Sequence, residues 1–171
     1  IAEPHDTVLD FGCGIGRWTP LLQMFFNAYH GVDICEMALE EAFGAYVDTD
    51  APENPEFGLV VDGIIPGDAT YDVIWTCVCL QHIVDEELLK ATIQQFSDRL
   101  ADDGMVIITE NVSENTSNGY LAFRPVDRYL ELFSAAGLFV NGARQTTAMG
   151  GELHATLMFS KVESSGLDEA D

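Results

Sequence analysis

Basic residues are scarce in this chain of 171 residues, which carries 29 aspartates and glutamates but only 7 lysines and arginines. Lys90 and Lys161 are its only lysines. The formal net charge of −22 repels the phosphates of nucleic acids and anionic membranes, which argues against both as partners. The acidic surface is typical of ordinary solvation, of adaptation to high salt or of attraction for basic substrates. Because lysine is so rare, we give salt adaptation more weight than attraction.

Long apolar runs are also missing, since no stretch approaches the roughly 20 residues of a membrane-spanning helix. No basic amino-terminal signal segment is visible, and we expect a cytoplasmic protein. The cysteines lack the paired spacing of a zinc site, so we expect reduced thiols and no metal. They are Cys13, Cys35, Cys77 and Cys79. Neither a repeat nor a second core is evident, which predicts one domain over residues 1–163 and an acidic flexible tail over 164–171.

Glycine occupies positions 12, 14 and 16, directly after a short apolar segment that contains Asp10. This pattern predicts a buried strand, a turn and the start of a helix. Glycine permits positive φ and close approach of the backbone to a ligand, and the first N–H groups of a helix are free to bind one. The dinucleotide fingerprint needs glycine at the sixth position of the turn, where this chain has Arg17. A nucleotide-type site and a plain strand-to-helix turn both stay open at this point.

Acids follow two further predicted strands. Asp33 lies in the strand segment 28–34, about 20 residues after the glycine turn, where a carboxylate can accept hydrogen bonds from ribose hydroxyls. Its alternative role is that of an acid at the start of a helix. Asp62 follows the strand Phe57–Val61 in the same way. Two acid-terminated strands at the correct interval support a ligand site more strongly than the glycine turn alone.

Apolar periodicity predicts helices that alternate with these strands. The predicted helices cover residues 16–27, 36–47, 85–100 and 127–136. Later strands are predicted at 71–80, 105–109, 138–143 and 153–160. The alternation predicts a doubly wound α/β domain with right-handed crossovers.

Polar residues lie at the ends of the fourth and fifth predicted strands, which line one crevice in a doubly wound sheet. A polar loop over 112–119 follows the fifth strand and is long for such a connection, which indicates a substrate flap. Two aromatic residues come after it. The candidate acceptor contacts are Gln81, His82, Glu110, Asn111, Tyr120 and Phe123. A structural hydrogen bond is the alternative role of His82.

The pattern Asp-x-Gly-x-Gly-x-Gly that starts at Asp10 resembles motif I of the class I methyltransferases that use S-adenosylmethionine (SAM). The segment Tyr71–Leu80 resembles their motif IV. The resemblance covers about residues 7–160. It implies a seven-stranded, mostly parallel sheet in the order 3-2-1-4-5-7-6, with an antiparallel carboxyl-terminal pair. It also implies SAM as cofactor and S-adenosylhomocysteine (SAH) as product.

In that family the glycine turn lies against the methionine and ribose parts of SAM. An acid after the third strand accepts a hydrogen bond from adenine, and we prefer Asp62 over its rival Asp68 for this role. Ile34 and Val78 are candidate walls for adenine, while Arg17 either meets the cofactor carboxylate or faces solvent. The implied cofactor-binding residues are Asp10, Gly12, Cys13, Gly14, Gly16, Arg17, Asp33, Ile34, Asp62, Cys77 and Val78.

The resemblance implies methyl transfer to a nucleophilic atom, with Gln81 and His82 as the catalytic candidates. The lack of an extra recognition domain favours a small-molecule acceptor. A protein amino-terminal amine methyltransferase is the alternative, since Tyr71–Trp75 and the pair Glu110–Asn111 partly match that family, and an acidic groove suits a basic peptide. A non-catalytic SAM-binding subunit stays open. Aminopropyl transfer is disfavoured because the fourth-strand exit lacks the expected acids.

Overall fold

The computed structural model describes residues 7–47, 54–113, 116–147 and 153–162. The strands in these ranges are β1 (Thr7–Phe11), β2 (Ala28–Asp33), β3 (Glu56–Leu59), β4 (Tyr71–Cys77), β5 (Leu100–Asn111), β6 (Thr116–Ser117), β7 (Ala122–Phe123), β8 (Phe139–Thr147) and β9 (Leu153–Ser160). The helices are α1 (Thr19–Leu22), α2 (Glu36–Tyr46), α3 (Glu86–Arg99) and α4 (Val126–Ala135), and a single 3-10 turn covers Leu80–His82.

Seven of the strands form one sheet in the order β3-β2-β1-β4-β5-β9-β8. Strands β1 to β5 pair in parallel, whereas β9 runs antiparallel to both β5 and β8. Since β6 and β7 form a separate hairpin, β8 and β9 are the sixth and seventh strands of the predicted order. The predicted fold class and strand order are confirmed. The carboxyl ends of β1, β2, β4 and β5 lie along one edge of the sheet, where a crevice forms in such folds.

Helices α3 and α4 cover one face of the sheet with fully buried side chains. Phe96 of α3 packs edge-on against Phe11 at 5.0 Å, and Phe133 of α4 stacks on Phe159 at 4.1 Å. The other face holds a smaller cluster around Val8, Leu22, Tyr29 and Val73. Burial of these side chains provides the main stabilisation of the fold and fixes the carboxyl ends of the strands relative to one another.

The predicted helix over residues 16–27 is wrong in extent, because regular α-helix covers only Thr19–Leu22. Gly16 has φ of 81° and cannot belong to a right-handed helix. After Leu22 the backbone closes with short turns instead of continuing the helix. Apolar periodicity would bury both Leu21 and Phe25, but Leu21, within α1, is 44% exposed and Phe25, after it, is 61% exposed.

Strand β4 ends at Cys77 instead of Leu80, because Val78 has φ of 55°, in the left-handed region. Leu80 is fully buried, so the apolar character that extended the predicted strand reflects packing of the 3-10 turn. The predicted turn at Asp102–Gly104 is an irregularity inside β5, where the register against β4 shifts.

The predicted tail over 164–171 lies outside the described residues. So do most of the acidic loop predicted over 48–56 and most of the connection predicted over 147–152. In the part of the chain that is described, none of the helices has the length and apolar character to span a membrane.

Candidate active site

The three glycines of the turn after β1 have positive φ, at 77°, 55° and 81° for Gly12, Gly14 and Gly16. A Cβ on Gly12 would lie 2.2 Å from Sγ of Cys79, and one on Gly16 would lie 2.6 Å from the ring of Tyr46. These two glycines therefore permit close packing of the turn against neighbouring elements. Among the described atoms nothing comes within 4 Å of a Cβ on Gly14. Gly14 is consequently the position of the turn that faces open space.

Asp33 joins the glycine turn to the start of α2. Its Oδ2 accepts a hydrogen bond from the N–H of Gly14 at 2.8 Å, and its Oδ1 accepts one from the N–H of Cys35 at 2.9 Å. The side chain is half-buried. Because a carboxylate has about four acceptor positions, Asp33 can accept further hydrogen bonds from ligand hydroxyls.

A cavity of about 240 Å³ lies at the carboxyl edge of the sheet, next to Asp33. The predicted site residues that line it are Gly12, Asp33, Ile34 and His82. Its other walls are mainly apolar, and they include Phe11, Val60, Cys79, Ile83 and Leu88. The apolar walls of such a slot can hold a flat, partly apolar ring, and the carboxylate at its mouth can bind hydroxyl groups attached to that ring system.

The sequence analysis missed most of the apolar wall. Phe11 is the last residue of β1 and Val60 directly follows β3, and this position at a strand end is a signal that could have identified them. Cys79 and Ile83 flank the 3-10 turn that follows β4, and Leu88 lies in the first turn of α3. Their position depends on packing across the sheet, which the spacing of residues along the chain does not show.

Asp10 does not line the cavity, and its role as a cofactor contact stays a prediction. It is buried and accepts a hydrogen bond at 2.8 Å from the hydroxyl of Tyr29, which in turn accepts one at 2.9 Å from Thr19. Burial raises the pKa of Asp10 to about 7, against the hydrogen bond from Tyr29, and the charge of Asp33 adds to the rise. Asp10 therefore stabilises the glycine turn through hydrogen bonds that link β1, β2 and α1.

Other predicted cofactor contacts also lie away from the cavity. The side chain of Cys13 is buried, and its N–H donates to the carbonyl of Val32 at 3.1 Å. Cys77 and Val78 are half-buried and do not line the cavity. Arg17 is exposed, and the hydrogen bonds and ion pairs of the described residues give it no partner.

Asp62 and Asp68, the two candidates for the adenine contact, lie in different surroundings. Asp62 is exposed and has φ of 51°, and its neighbour Gly63 lines the cavity. Asp68 is exposed in the loop that leads to the opposite edge of the sheet, where β4 begins. This placement favours Asp62, whose contact with a ligand stays a prediction.

The predicted acceptor contacts are divided between two places. His82 is exposed at the 240 Å³ cavity, whereas Asn111 and Phe123 line a smaller one of about 160 Å³ at the end of β5. Tyr120 lies on the loop between β6 and β7 and is 83% exposed. Gln81 is only 4% exposed, and its Oε1 has no hydrogen-bond partner in the described part of the chain.

Glu110, a predicted acceptor contact, has a carboxylate that does not face an open crevice. It is 1% exposed and accepts hydrogen bonds from the N–H groups of Cys79, Leu80 and Gln81 at 3.0, 2.8 and 3.2 Å. Burial raises its pKa to about 7, opposed by these three donors and by the charge of Arg124. Glu110 therefore holds the turn after β4 instead of touching an acceptor.

Comparison with known proteins agrees with this geometry. Residues 1–141 match the family model described as a methyltransferase domain (Methyltransf_23), so the chain belongs to that family. Its fold is that of the class I SAM-dependent methyltransferases, a family that implies SAM as the cofactor. A solved SAM-dependent methyltransferase from Methanosarcina mazei superimposes with a TM-score of 0.77 at 14% identity and covers 94% of both chains, which is a likeness of fold.

Curated relatives are named as protein methyltransferases. The chain is 26% identical over 176 residues to alpha N-terminal protein methyltransferase 1 of Oryza sativa subsp. indica, an alignment that covers 94% of this chain and 56% of that protein. It is 27% identical over 157 residues to N-terminal Xaa-Pro-Lys N-methyltransferase 1-B of Xenopus laevis, with 89% and 70% covered. The chain thus spans little more than half the length of the first of these relatives.

Proposed function

We propose that this chain binds SAM at the carboxyl edge of β1, β2 and β4 and transfers its methyl group to an amine acceptor. The observation that carries the proposal is the pairing of Gly14, whose positive-φ backbone faces open space, with Asp33 at the mouth of an apolar cavity. Open backbone, carboxylate and apolar slot fit the methionine, ribose and adenine parts of this cofactor.

Each part of the cofactor has residues that would hold it. Gly14 has no side chain and so allows close approach of the main chain to the cofactor, and the free acceptor positions of Asp33 suit the ribose hydroxyls. Ile34, Val60 and Leu88 supply apolar walls for adenine. Arg17 is exposed beside the turn and could pair with the carboxylate of the methionine part of SAM.

SAM supplies a methyl group that its sulfonium has already activated, so the protein has to orient the acceptor and exclude water. An amine attacks only in its neutral form, and His82 is an exposed imidazole at the cavity that can take up the proton. Asn111 can hydrogen-bond the acceptor from the end of β5. Gln81 carries an unused acceptor atom beside His82.

The names of the curated relatives favour a peptide amino terminus over a small-molecule acceptor. The net charge of −22 supports a basic peptide, since it attracts cationic partners. A small-molecule amine is the second candidate, because Asn111 and Phe123 enclose a cavity of only about 160 Å³.

Transfer of radiolabelled methyl from SAM tests the acceptor. The probes are a short peptide that begins Xaa-Pro-Lys, the same peptide with an acetylated amino terminus, and a panel of small amines. We expect label on the free peptide alone. Equal labelling of the acetylated peptide, or labelling of small amines only, contradicts a peptide amino terminus as acceptor. No transfer to any probe, with SAH binding intact, would indicate a non-catalytic SAM-binding protein.

A further inference from the structure

The backbone that follows β4 leaves the sheet in an unusual conformation. Val78 is a β-branched residue with φ of 55°, and its N–H donates to the carbonyl of Thr109 at 2.7 Å. The next three N–H groups all donate to one carboxylate, that of Glu110. Successive N–H groups that converge on an anion form a concave anion site. Here the anion is a side chain of the protein itself.

Arg124 holds the carbonyl groups of the same segment. It is 4% exposed and donates to the carbonyl of Ile83 at 2.8 Å, to that of Leu80 at 3.4 Å and to that of Ala122 at 3.0 Å. A carboxylate oxygen of Glu86, at the start of α3, lies 3.5 Å from its guanidinium group. Arg124 thus ties the turn after β4 to both α3 and β7.

Two charged side chains therefore satisfy the backbone of a buried turn that belongs to neither the sheet nor an α-helix. Glu110 accepts hydrogen bonds from its N–H groups, and Arg124 donates hydrogen bonds to its carbonyl groups. Buried backbone groups need such partners. Loss of Glu110 removes the acceptor of three N–H groups, and loss of Arg124 removes the donor to the carbonyl of Ile83. Glycine at position 12 leaves room for the turn, because a Cβ there would lie 2.2 Å from Sγ of Cys79.

We propose that Glu110 and Arg124 are positioning residues for methyl transfer. They fix the turn from Cys79 to Ile83 from opposite sides and so hold Gln81 and His82 at the site. The proposal rests on the proposed function in one respect, namely that the acceptor reacts beside these two residues. The cofactor contacts at Gly14 and Asp33 belong to other elements, whereas Cys79 and Ile83 of the turn supply part of the apolar wall. We therefore expect that loosening the turn lowers turnover more than cofactor affinity.

The test compares Glu110→Gln and Arg124→Lys with the matched control Arg99→Lys. Gln keeps the shape of Glu but brings an N–H₂ group to the three donors, and Lys keeps the charge of Arg without its planar fork. Arg99 also donates to three carbonyls, those of Ile65, Pro66 and Gly67, in a loop away from the turn. Each variant is measured for amide hydrogen exchange at residues 79–81, for SAH affinity, and for kcat and KM with the Xaa-Pro-Lys peptide.

In Glu110→Gln and Arg124→Lys we expect amide exchange at residues 79–81 to rise roughly tenfold or more and kcat to fall by a similar factor. SAH affinity should stay within about fivefold, and Arg99→Lys should change none of these by more than about threefold. Unchanged exchange and kcat in both variants overturn the proposal. An equal effect of Arg99→Lys, or loss of SAH binding in a folded variant, also overturns it.

The wild-type chain provides a measurement that depends neither on the folding of a variant nor on the acceptor. The amides of Cys79, Leu80 and Gln81 should exchange as slowly as those of β4, although they lie outside the sheet. The exposed residue Val84 serves as the reference for rapid exchange. Rapid exchange at 79–81 in the wild type overturns the positioning role. Slow exchange without peptide methylation supports it and counts only against the proposed acceptor.

Discussion

Two glycines of the turn after β1 have similar backbone conformations and different surroundings. Gly12 is packed against Cys79, whereas Gly14 faces open space. We expect Gly14→Ala to cost about 1–2 kcal/mol for its positive φ alone. Gly12→Ala should cost about 1–3 kcal/mol more, since its Cβ would also overpack the turn. Urea denaturation of the two variants measures the difference, and equal costs would show that packing against Cys79 does not constrain position 12.

The buried carboxyl of Asp10 makes stability depend on pH. Its pKa is raised to about 7, so between about pH 4 and pH 7 the native state binds more protons than the unfolded chain. Its contribution to the free energy of unfolding is therefore greatest below pH 4 and falls as pH rises through 7. At about 1.4 kcal/mol per pKa unit the loss is on the order of 4 kcal/mol.

Asp10→Asn removes this titration and keeps an oxygen that can accept from the hydroxyl of Tyr29. Urea denaturation at about pH 5 and pH 8, in high salt to screen surface charges, should show a smaller loss of stability in the variant than in the wild type. Glu110 shifts in the same direction but is common to both chains. An identical loss in the two would mean that Asp10 does not carry a raised pKa.

At the scale of elements, apolar periodicity predicted α3 and α4 almost to the residue, because each buries a regular stripe against the sheet. It failed for the first helix, where Leu21 and Phe25 are apolar but exposed. It also extended β4 as far as Leu80, since core packing in a 3-10 turn and in a strand both require apolar residues. The rule that an acid ends a strand placed Asp33 at the cavity, because its location depends only on where β2 ends.

The same reasoning could not identify Arg124 or the role of Glu110. Both act on backbone groups that lie about 30 to 45 residues away along the chain. Polar residues at a strand end are equally consistent with a ligand contact and with a partner for buried backbone. Only the path of the turn after β4 decides between them, and the left-handed Val78 that sets this path has no sequence signature.

The turn after β4 should serve turnover more than cofactor binding. Replacing His82 with Ala removes the exposed imidazole at the cavity without disturbing the backbone contacts of Glu110, so we expect kcat to fall about 10²-fold or more. SAH affinity should stay within a few fold, because Asp33 and Gly14 are unchanged. Steady-state kinetics and calorimetry measure the two effects. Unchanged kcat, or lost SAH binding in a folded variant, would show that the proton acceptor has been placed wrongly.

At the scale of the whole molecule, the charge of −22 dominates the electrostatics. Among the described residues, ion pairs to nearby carboxylates are formed by Lys90, Arg124, Arg128 and Lys161. The 7 basic residues cannot balance 29 acidic ones. Raising salt shortens the screening length from ~30 Å at 0.01 M to ~3 Å at 1 M and should relieve the mutual repulsion. We therefore expect the melting temperature to rise from low salt to molar KCl. A flat or falling melting temperature would remove the case for salt adaptation.

Binding of SAH to the wild type and to Asp33→Ala, measured by calorimetry, tests the central claim most directly. We expect the wild type to bind SAH, and the variant to stay folded but to lose about 2 kcal/mol or more of binding free energy, roughly 30-fold in affinity. This loss follows because the carboxylate would both accept from the ribose hydroxyls and fix the N–H of Gly14. No binding by the wild type, or equal affinity in the folded variant, would contradict the assignment of this crevice as the cofactor site.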